Sequence, residues 1–434
     1  MLLSTSKKNE KRQKIKTSIG KVIIILFFII ASIFQGLYFF NQYITANVMI
    51  ILYAGYIMYT KRDQLYIDKA VISLFVFTVL YILSIFYGVN KDGAMREALR
   101  VMAFLPAFII GMLYNQNQKE WVNQGIILSG IVVSLIGLIT LSGLANIDGT
   151  LYQGRIQSTF HYANVTAIYL MMGIILSLKA MEKDKHTVCI LHWHSLCIYL
   201  LTCGLILTYS RGVWIIFTLM NIFLLLSNKV LDKLHKGRYI FLLLLASMAS
   251  FLMVSTAHSK WFWMILVVGA AISMISKHLG KWIYAVGSIG MTVGIIAAFF
   301  YKNEILDRIT DISFGATEWK ARILYYKGAL KLIADYPFFG AGAMGWADLC
   351  EKYAGDYVKY VHNYLLQVSS DIGIIGVAFL IIFITSIFIK FFKNKKKDWY
   401  AFFIVVSILI HSLIDVDMHF QLIAVIFFIY SGIL

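Results

Sequence analysis

The chain has 434 residues, 60% of them hydrophobic, 15% aromatic and only 14% charged, with a mean hydropathy of +0.77. A water-soluble globule cannot hide that much apolar surface, so the solvent is lipid. The formal charge of +17 would suit a nucleic-acid binder, but the basic residues lie in separate short loops and form no continuous groove, which excludes that class.

Taken in chain order, residues 1–21 form a basic N-terminal segment, MLLSTSKKNEKRQKIK and its continuation. It resembles the n-region of a signal peptide. No small-residue cleavage site follows the apolar stretch Val22 to Phe40, however, so an uncleaved first span is expected. Apolar runs of roughly 17–25 residues, each long enough to cross a hydrocarbon core as a helix, recur to the C-terminus. They fall near 22–40, 44–59, 70–88, 98–114, 122–144, 163–178, 188–206, 212–227, 239–256, 261–276, 282–301, 362–389, 399–414 and 419–433. The expected fold is therefore an all-α, polytopic transmembrane bundle of about 12–14 spans. It divides into an N-terminal bundle, 22–301, a long loop, 302–361, and C-terminal spans, 362–434.

With a cytoplasmic N-terminus, the inner connections carry Lys61 and Arg62, Lys119, Lys179 with Lys183 and Lys185, Lys229 to Arg238, Lys277 and Lys281, and FIKFFKNKKKDW. The short outer connections carry far fewer, which is the positive-inside pattern. The four cysteines, Cys189, Cys197, Cys203 and Cys350, form no CxxC pair, and a disulfide framework is not expected. No internal repeat of the kind that builds inverted-repeat transporters is visible. The two histidines of HWH, His192 and His194, read as packing at the cytoplasmic end of a span.

The loop 302–361 differs from every other connection in length, and this topology places it outside the membrane. Within it, EWKARILYYKGALKLIADYP sets Ile323, Tyr326, Leu330 and Ile333 on one helical face and Lys320, Lys327 and Lys331 elsewhere. An amphipathic helix lying in the membrane interface is expected, ended by Pro337 and the glycines after it. Gly340, Gly342 and Gly345 spell GxGxxG. A dinucleotide site needs a preceding buried strand and a βαβ unit, and both are missing here, so the glycines are expected to make a tight turn back to the membrane.

RILYYKGALKLIADYPFFGAGAMGW followed by VHNYLLQVSSDIGIIGVAFL resembles the long outer loop and following helix of the O-antigen ligase family, which shares its core with O-antigen polymerases. GRIQSTFHYANVTA and LTYSRGVWI resemble two further segments of that family. The resemblance covers roughly residues 150 to 390. His161-Tyr162-Ala163-Asn164 stands where the family usually has Asn-Pro.

The resemblance implies transfer of a glycan from a polyprenyl (undecaprenyl) diphosphate carrier to an acceptor hydroxyl at the outer face of the cytoplasmic membrane. No cofactor is expected, and no metal, because arginines can supply the cation the leaving group requires, although the ligand types of HSLIDVDMHF would allow a metal site. Arginine suits the departing diphosphate, because its planar fork bonds phosphate oxygens in pairs. Histidine suits the acceptor proton, since its ordinary pKa of about 6.5 lets it accept one at neutral pH. The catalytic candidates are accordingly His362, heading the span after the long loop, Arg211 in TYSRG, and Arg322 at the start of the surface helix. Arg155, Asn363, His411 and Asp415 are candidates for substrate binding.

The competing readings are an interfacial histidine, a snorkelling or decorative arginine, and a structural polar cap for the HSLIDVDMHF segment, in which His411 and Asp415 are spaced to face each other on a helix. The partners expected are the lipid-linked donor, a glycan, lipid, wall-polymer or protein acceptor, and the bilayer. A repeat-unit polymerase of the same superfamily differs only in acceptor. A lipid-linked-glycan flippase would also be polytopic, but it needs a polar path across the whole membrane, and the ionisable residues here gather at one face.

Overall fold

The computed structural model describes residues 2–183, 192–227, 233–279 and 312–434. The expected span at 282–301 and the first part of the long loop lie outside the described residues. Those described are overwhelmingly helical, and seven of their helices are long and apolar enough to cross a membrane, with five shorter apolar helices beside them. The all-α polytopic bundle read from composition is what the chain forms.

The helices are α1 (Leu2–Ile33), α2 (Phe40–Thr60), α3 (Lys69–Tyr87), α4 (Lys91–Val101), α5 (Phe104–Leu113), α6 (Gln116–Leu141), α7 (Ala163–Lys183), α8 (Trp193–Leu207), α9 (Arg211–Leu226), α10 (Lys233–Ser255) and α11 (Lys260–Ile275). After the undescribed segment come α12 (Ile312–Asp335), α13 (Gly345–Ala354), α14 (Tyr364–Lys393), α15 (Trp399–Ser412) and α16 (Gln421–Ile433). Two of the expected spans change. The first helix stops at Ile33, seven residues short of the boundary expected at residue 40, and the run 98–114 is broken at Met102 and Ala103 between α4 and α5. Pro106 sits in the first turn of α5, where a missing N–H costs no helical bond.

α7 is the central helix, buried over nearly its whole length, while α2, α3 and α14 present large apolar side chains outward as lipid-facing helices do. α5 packs on α16, α1 on α6, α7 on α8, and α3 on α14. One end of the bundle is laced by lysines. Lys61 donates to the carbonyl of Leu113, Lys179 pairs with Asp398 at 2.5 Å, and Lys390 pairs with Asp68. The opposite end carries the candidate residues.

The GxGxxG segment is the turn expected from its context, and its glycines are set by backbone approach. The Ala341 N–H donates to the Ser370 carbonyl at 2.8 Å, and the Ile374 N–H donates to the Pro337 carbonyl at 2.9 Å. This lodges the turn in a break of α14 at Ile372 and Gly373. A Cβ on Gly342, whose φ is +87°, would come within 2.2 Å of the Gly88 Cα. The broken helix thus regains partners for its freed backbone groups, as irregular backbone at membrane depth requires.

α12 forms where the amphipathic helix is expected, and it meets α13 through a face other than the apolar one read from sequence. Ala329 and Leu332 are buried against Trp346 and Cys350 of α13, while Ile323 and Leu330 face outward. The physical reason is size. Gly328 and Ala329 let α12 approach α13 closely, and a Cβ on Gly328 would meet Ala354 at 2.8 Å.

Candidate active site

Four segments distant in sequence meet at the non-lysine end around one carboxylate, Asp415, in the turn between α15 and α16. Its side chain is 1% exposed. Tyr162 donates its hydroxyl to Asp415 Oδ1 at 2.7 Å, and Asn164 donates its amide to Oδ2 at 2.6 Å. Arg322 Nη2 donates to Oδ2 at 3.1 Å. His362 Nδ1 lies 3.6 Å from Oδ1, an electrostatic contact just beyond hydrogen-bond reach. Burial alone would push the Asp415 carboxyl up, but His362, Arg322 and His411 outweigh it and hold the group well below the usual carboxylate range. Asp415 is therefore an anion at any physiological pH. Its stabilising effect is present above the ordinary carboxylate pKa and is lost only as acid approaches the depressed value.

Local structure puts each side chain there. His362 follows the 302–361 loop in a left-handed conformation, φ +59°, just before Asn363 caps α14. A non-glycine residue in that region is held by its surroundings and occurs preferentially at functional positions. Tyr326 donates its hydroxyl to the His362 carbonyl at 3.0 Å, and the Tyr325 ring lies nearly parallel to the imidazole. Arg322 and Tyr326 are one turn apart on α12, so the same helix face fixes the arginine and supports the histidine.

Arg155 is presented by a two-residue hairpin in which Leu151 pairs with Ile156 and Tyr152 with Arg155. Its turn residues Gln153 and Gly154 both have positive φ, as the tight hairpin turn demands. Arg155 donates to the Thr208 carbonyl at 3.0 Å and to Asn164 Oδ1 at 3.1 Å, and lies 4.0 Å from Glu318. Asn164 is thus a bridge from Arg155 to Asp415. Arg211 opens α9 three residues beyond Thr208; it is exposed and makes no ion pair or hydrogen bond among the described residues. The structure therefore separates the arginines. Arg322 and Arg155 have protein partners, whereas Arg211, on the rim, has none among the described residues.

Asn363 and His411 both have partners within the protein. Asn363 Oδ1 accepts the Leu366 N–H at 3.1 Å, capping α14, and its Nδ2 donates to the Leu413 carbonyl at 2.8 Å. His411 and Asp415, expected to face each other at helical spacing, do not pair, because α15 ends at Ser412 and the chain turns. His411 Nδ1 instead meets Asp417 at 2.5 Å, both buried, and the imidazole edge packs on Gly212 beside Arg211. His419, from the same stretch, turns away to Glu97 and Arg100 and stacks on Tyr360 at 3.8 Å between centroids. His192, at the opposite end, is buried at the start of α8, where its N–H bonds the Met274 carbonyl; this agrees with a packing role.

Tyr162, Asn164, Tyr326 and Glu318 were not singled out as site residues from sequence. Tyr162 and Asn164 sit in the quoted GRIQSTFHYANVTA string, but their partner Asp415 lies 253 and 251 residues away and no local spacing announces it.

Residues 243–381, about a third of the chain, match the family model described as O-antigen ligase. The match runs from within α10 to within α14. It contains Arg322, the glycine turn, His362 and Asn363, while Arg155, Arg211, His411 and Asp415 lie outside it. No curated protein matches the chain. The resemblance read from the motifs is thereby borne out across residues 243–381, and the chain is a polytopic membrane protein that carries a region similar to the O-antigen ligases.

Proposed function

We propose that the protein transfers a glycan from a polyprenyl diphosphate carrier to an acceptor hydroxyl at the outer face of the cytoplasmic membrane. The observation that carries this reading is the convergence of Arg322 and His362 on the buried Asp415, with Arg155 joined to it through Asn164 and Arg211, unpaired among the described residues, on the same rim. In the proposed reaction, the acceptor oxygen bonds to the anomeric carbon as the bond from that carbon to the diphosphate oxygen breaks. The acceptor proton passes to His362. The electron pair of the broken bond goes to the diphosphate.

Arg211 supplies the cation for that leaving group. An arginine without a protein partner can turn its whole fork to phosphate, and each charge-assisted contact contributes about 1.5–3 kcal/mol. Arg322, being paired with Asp415, can offer its remaining N–H groups. Arg155 acts through Asn164, and Asp415 orients the imidazole through Nδ1, leaving Nε2 toward the acceptor. Tyr162 and Asn164 fix Asp415. Asn363 holds the entrance of α14 in place, and the His411–Asp417 pair underlies the first turn of α9.

Because arginine takes the place a divalent ion would otherwise fill, transfer by the purified protein is expected to continue in excess chelator. Loss of turnover restored by one particular metal would replace this account. The leaflet is tested in a cysteine-free variant. A cysteine at Tyr357 should react with an impermeant reagent in intact cells, and one at Asn394 only after permeabilisation. The reverse pattern would remove the site from the outer face.

A further inference from the structure

The solvent side of α12 carries two adjoining stripes. At about 100° per residue, Trp319, Ile323 and Leu330 fall in one narrow sector, and Lys320, Lys327 and Lys331 fall in the next. Trp319 is 50% exposed, Ile323 48% and Leu330 56%. The three lysines are exposed and make no hydrogen bond or ion pair among the described residues. Neither acidic residue of the described part of α12 answers them, since Glu318 faces Arg155 and Asp335 accepts the Tyr353 hydroxyl.

The C-terminal end of this helix is tied to the lipid boundary of the bundle. Phe338 and Phe339 are exposed, and Tyr87 at the end of α3 donates its hydroxyl to the Phe339 carbonyl at 2.7 Å. Beside Tyr87, Phe86 is 77% exposed on the outward face of a spanning helix. The Pro337 carbonyl accepts from Ile374, itself outward-facing on α14. Past Pro337 the chain thus reaches outward-facing apolar side chains of two spanning helices, and on α12 the lysines lie next to the apolar stripe.

We infer that the outward face of α12 is a docking surface for an anionic phospholipid bilayer, with the apolar stripe entering the interface and the three lysines bound to phosphate-bearing headgroups. Apolar stripe and cationic stripe are complementary to the two layers such a surface presents. Arg322 sits on the same rigid helix, so headgroup binding also sets where that arginine is held. The inference is independent of the transfer chemistry, because lipid contact can be read directly.

The test is amide hydrogen exchange over residues 318–335 of the full chain, in nanodiscs of phosphatidylcholine alone and of phosphatidylcholine mixed with phosphatidylglycerol. Exchange is expected to slow by roughly tenfold or more in the anionic discs, and high salt should reverse the effect. In a Lys320→Gln, Lys327→Gln, Lys331→Gln variant the two lipids should give equal rates, while exchange in α3 and α14 stays unchanged as a control for folding. Equal rates for the unaltered protein in both lipids would overturn the inference. So would equal slowing in the lysine-free variant, which would assign the protection to the apolar stripe or to α13. Slowing in neutral discs on addition of a soluble polyanion, with none from phosphatidylglycerol, would overturn it in favour of an anionic polymer as the occupant.

Discussion

Replacing His362 with alanine is expected to lower turnover by about 100- to 10,000-fold, the usual range for loss of a general base, while donor binding stays nearly intact. The imidazole acts on the acceptor, so its removal leaves the diphosphate contacts in place. Folding should survive as well. His362 is 22% exposed on its side chain and makes no formed side-chain hydrogen bond, and its carbonyl, which receives the Tyr326 hydroxyl, is kept in the variant. Turnover, donor affinity and detergent stability of the same preparation check all three parts. Near-normal turnover between about pH 6 and 9 would make His362 an interfacial residue, and the base would then have to be another group of the cluster, Asp415 or His411.

Arg211→Lys should behave differently, because it keeps the charge and loses the bidentate fork. Loss of one charge-assisted contact of about 1.5–3 kcal/mol corresponds to a fall in kcat/KM of about 10- to 100-fold. Donor binding should weaken along with turnover, since the diphosphate is present in both the bound substrate and the transition state. Arg211 is exposed and unpaired among the described residues, so the substitution breaks no internal ion pair. A variant with unaltered donor affinity and turnover would show that Arg211 merely snorkels to the interface. Comparing the two variants is informative because both residues lie at one end of the bundle. A general folding defect would weaken donor binding in both, whereas separate roles weaken it in only one.

The helices were legible because apolar runs of spanning length have few other uses, and because the lysines mark one end of nearly every span. The glycine turn was legible too, since its context lacked the strand a dinucleotide site needs. Helix rotation was harder. Apolar periodicity in α12 named Ile323 and Leu330 for the membrane interface, but a helix beside a membrane has two apolar environments, and the small residues Gly328 and Ala329 decided which side met protein.

Asp415 was legible as a candidate, and its partners were not. Spacing suggested His411, yet a helix that ends at Ser412 carries no i, i+4 relation across its end. Tyr162, Asn164, Arg322 and His362 reach Asp415 from three other stretches of chain, and only the fold brings them together. The difference between Arg211, unpaired among the described residues, and Arg322, paired, likewise depends on contacts remote in sequence.

The central claim is that a sugar–diphosphate bond breaks at this site, and the most direct measurement follows that bond. Purified protein is reconstituted with a polyprenyl-diphosphate-linked glycan labelled on both the glycan and the lipid, together with a mixture of acceptor hydroxyls. The expected result is free polyprenyl diphosphate appearing in step with glycan label on an acceptor, abolished in His362→Ala. Glycan that crosses the bilayer while still attached to its lipid, with no diphosphate released, would contradict the account and mark the protein as a carrier of lipid-linked glycan.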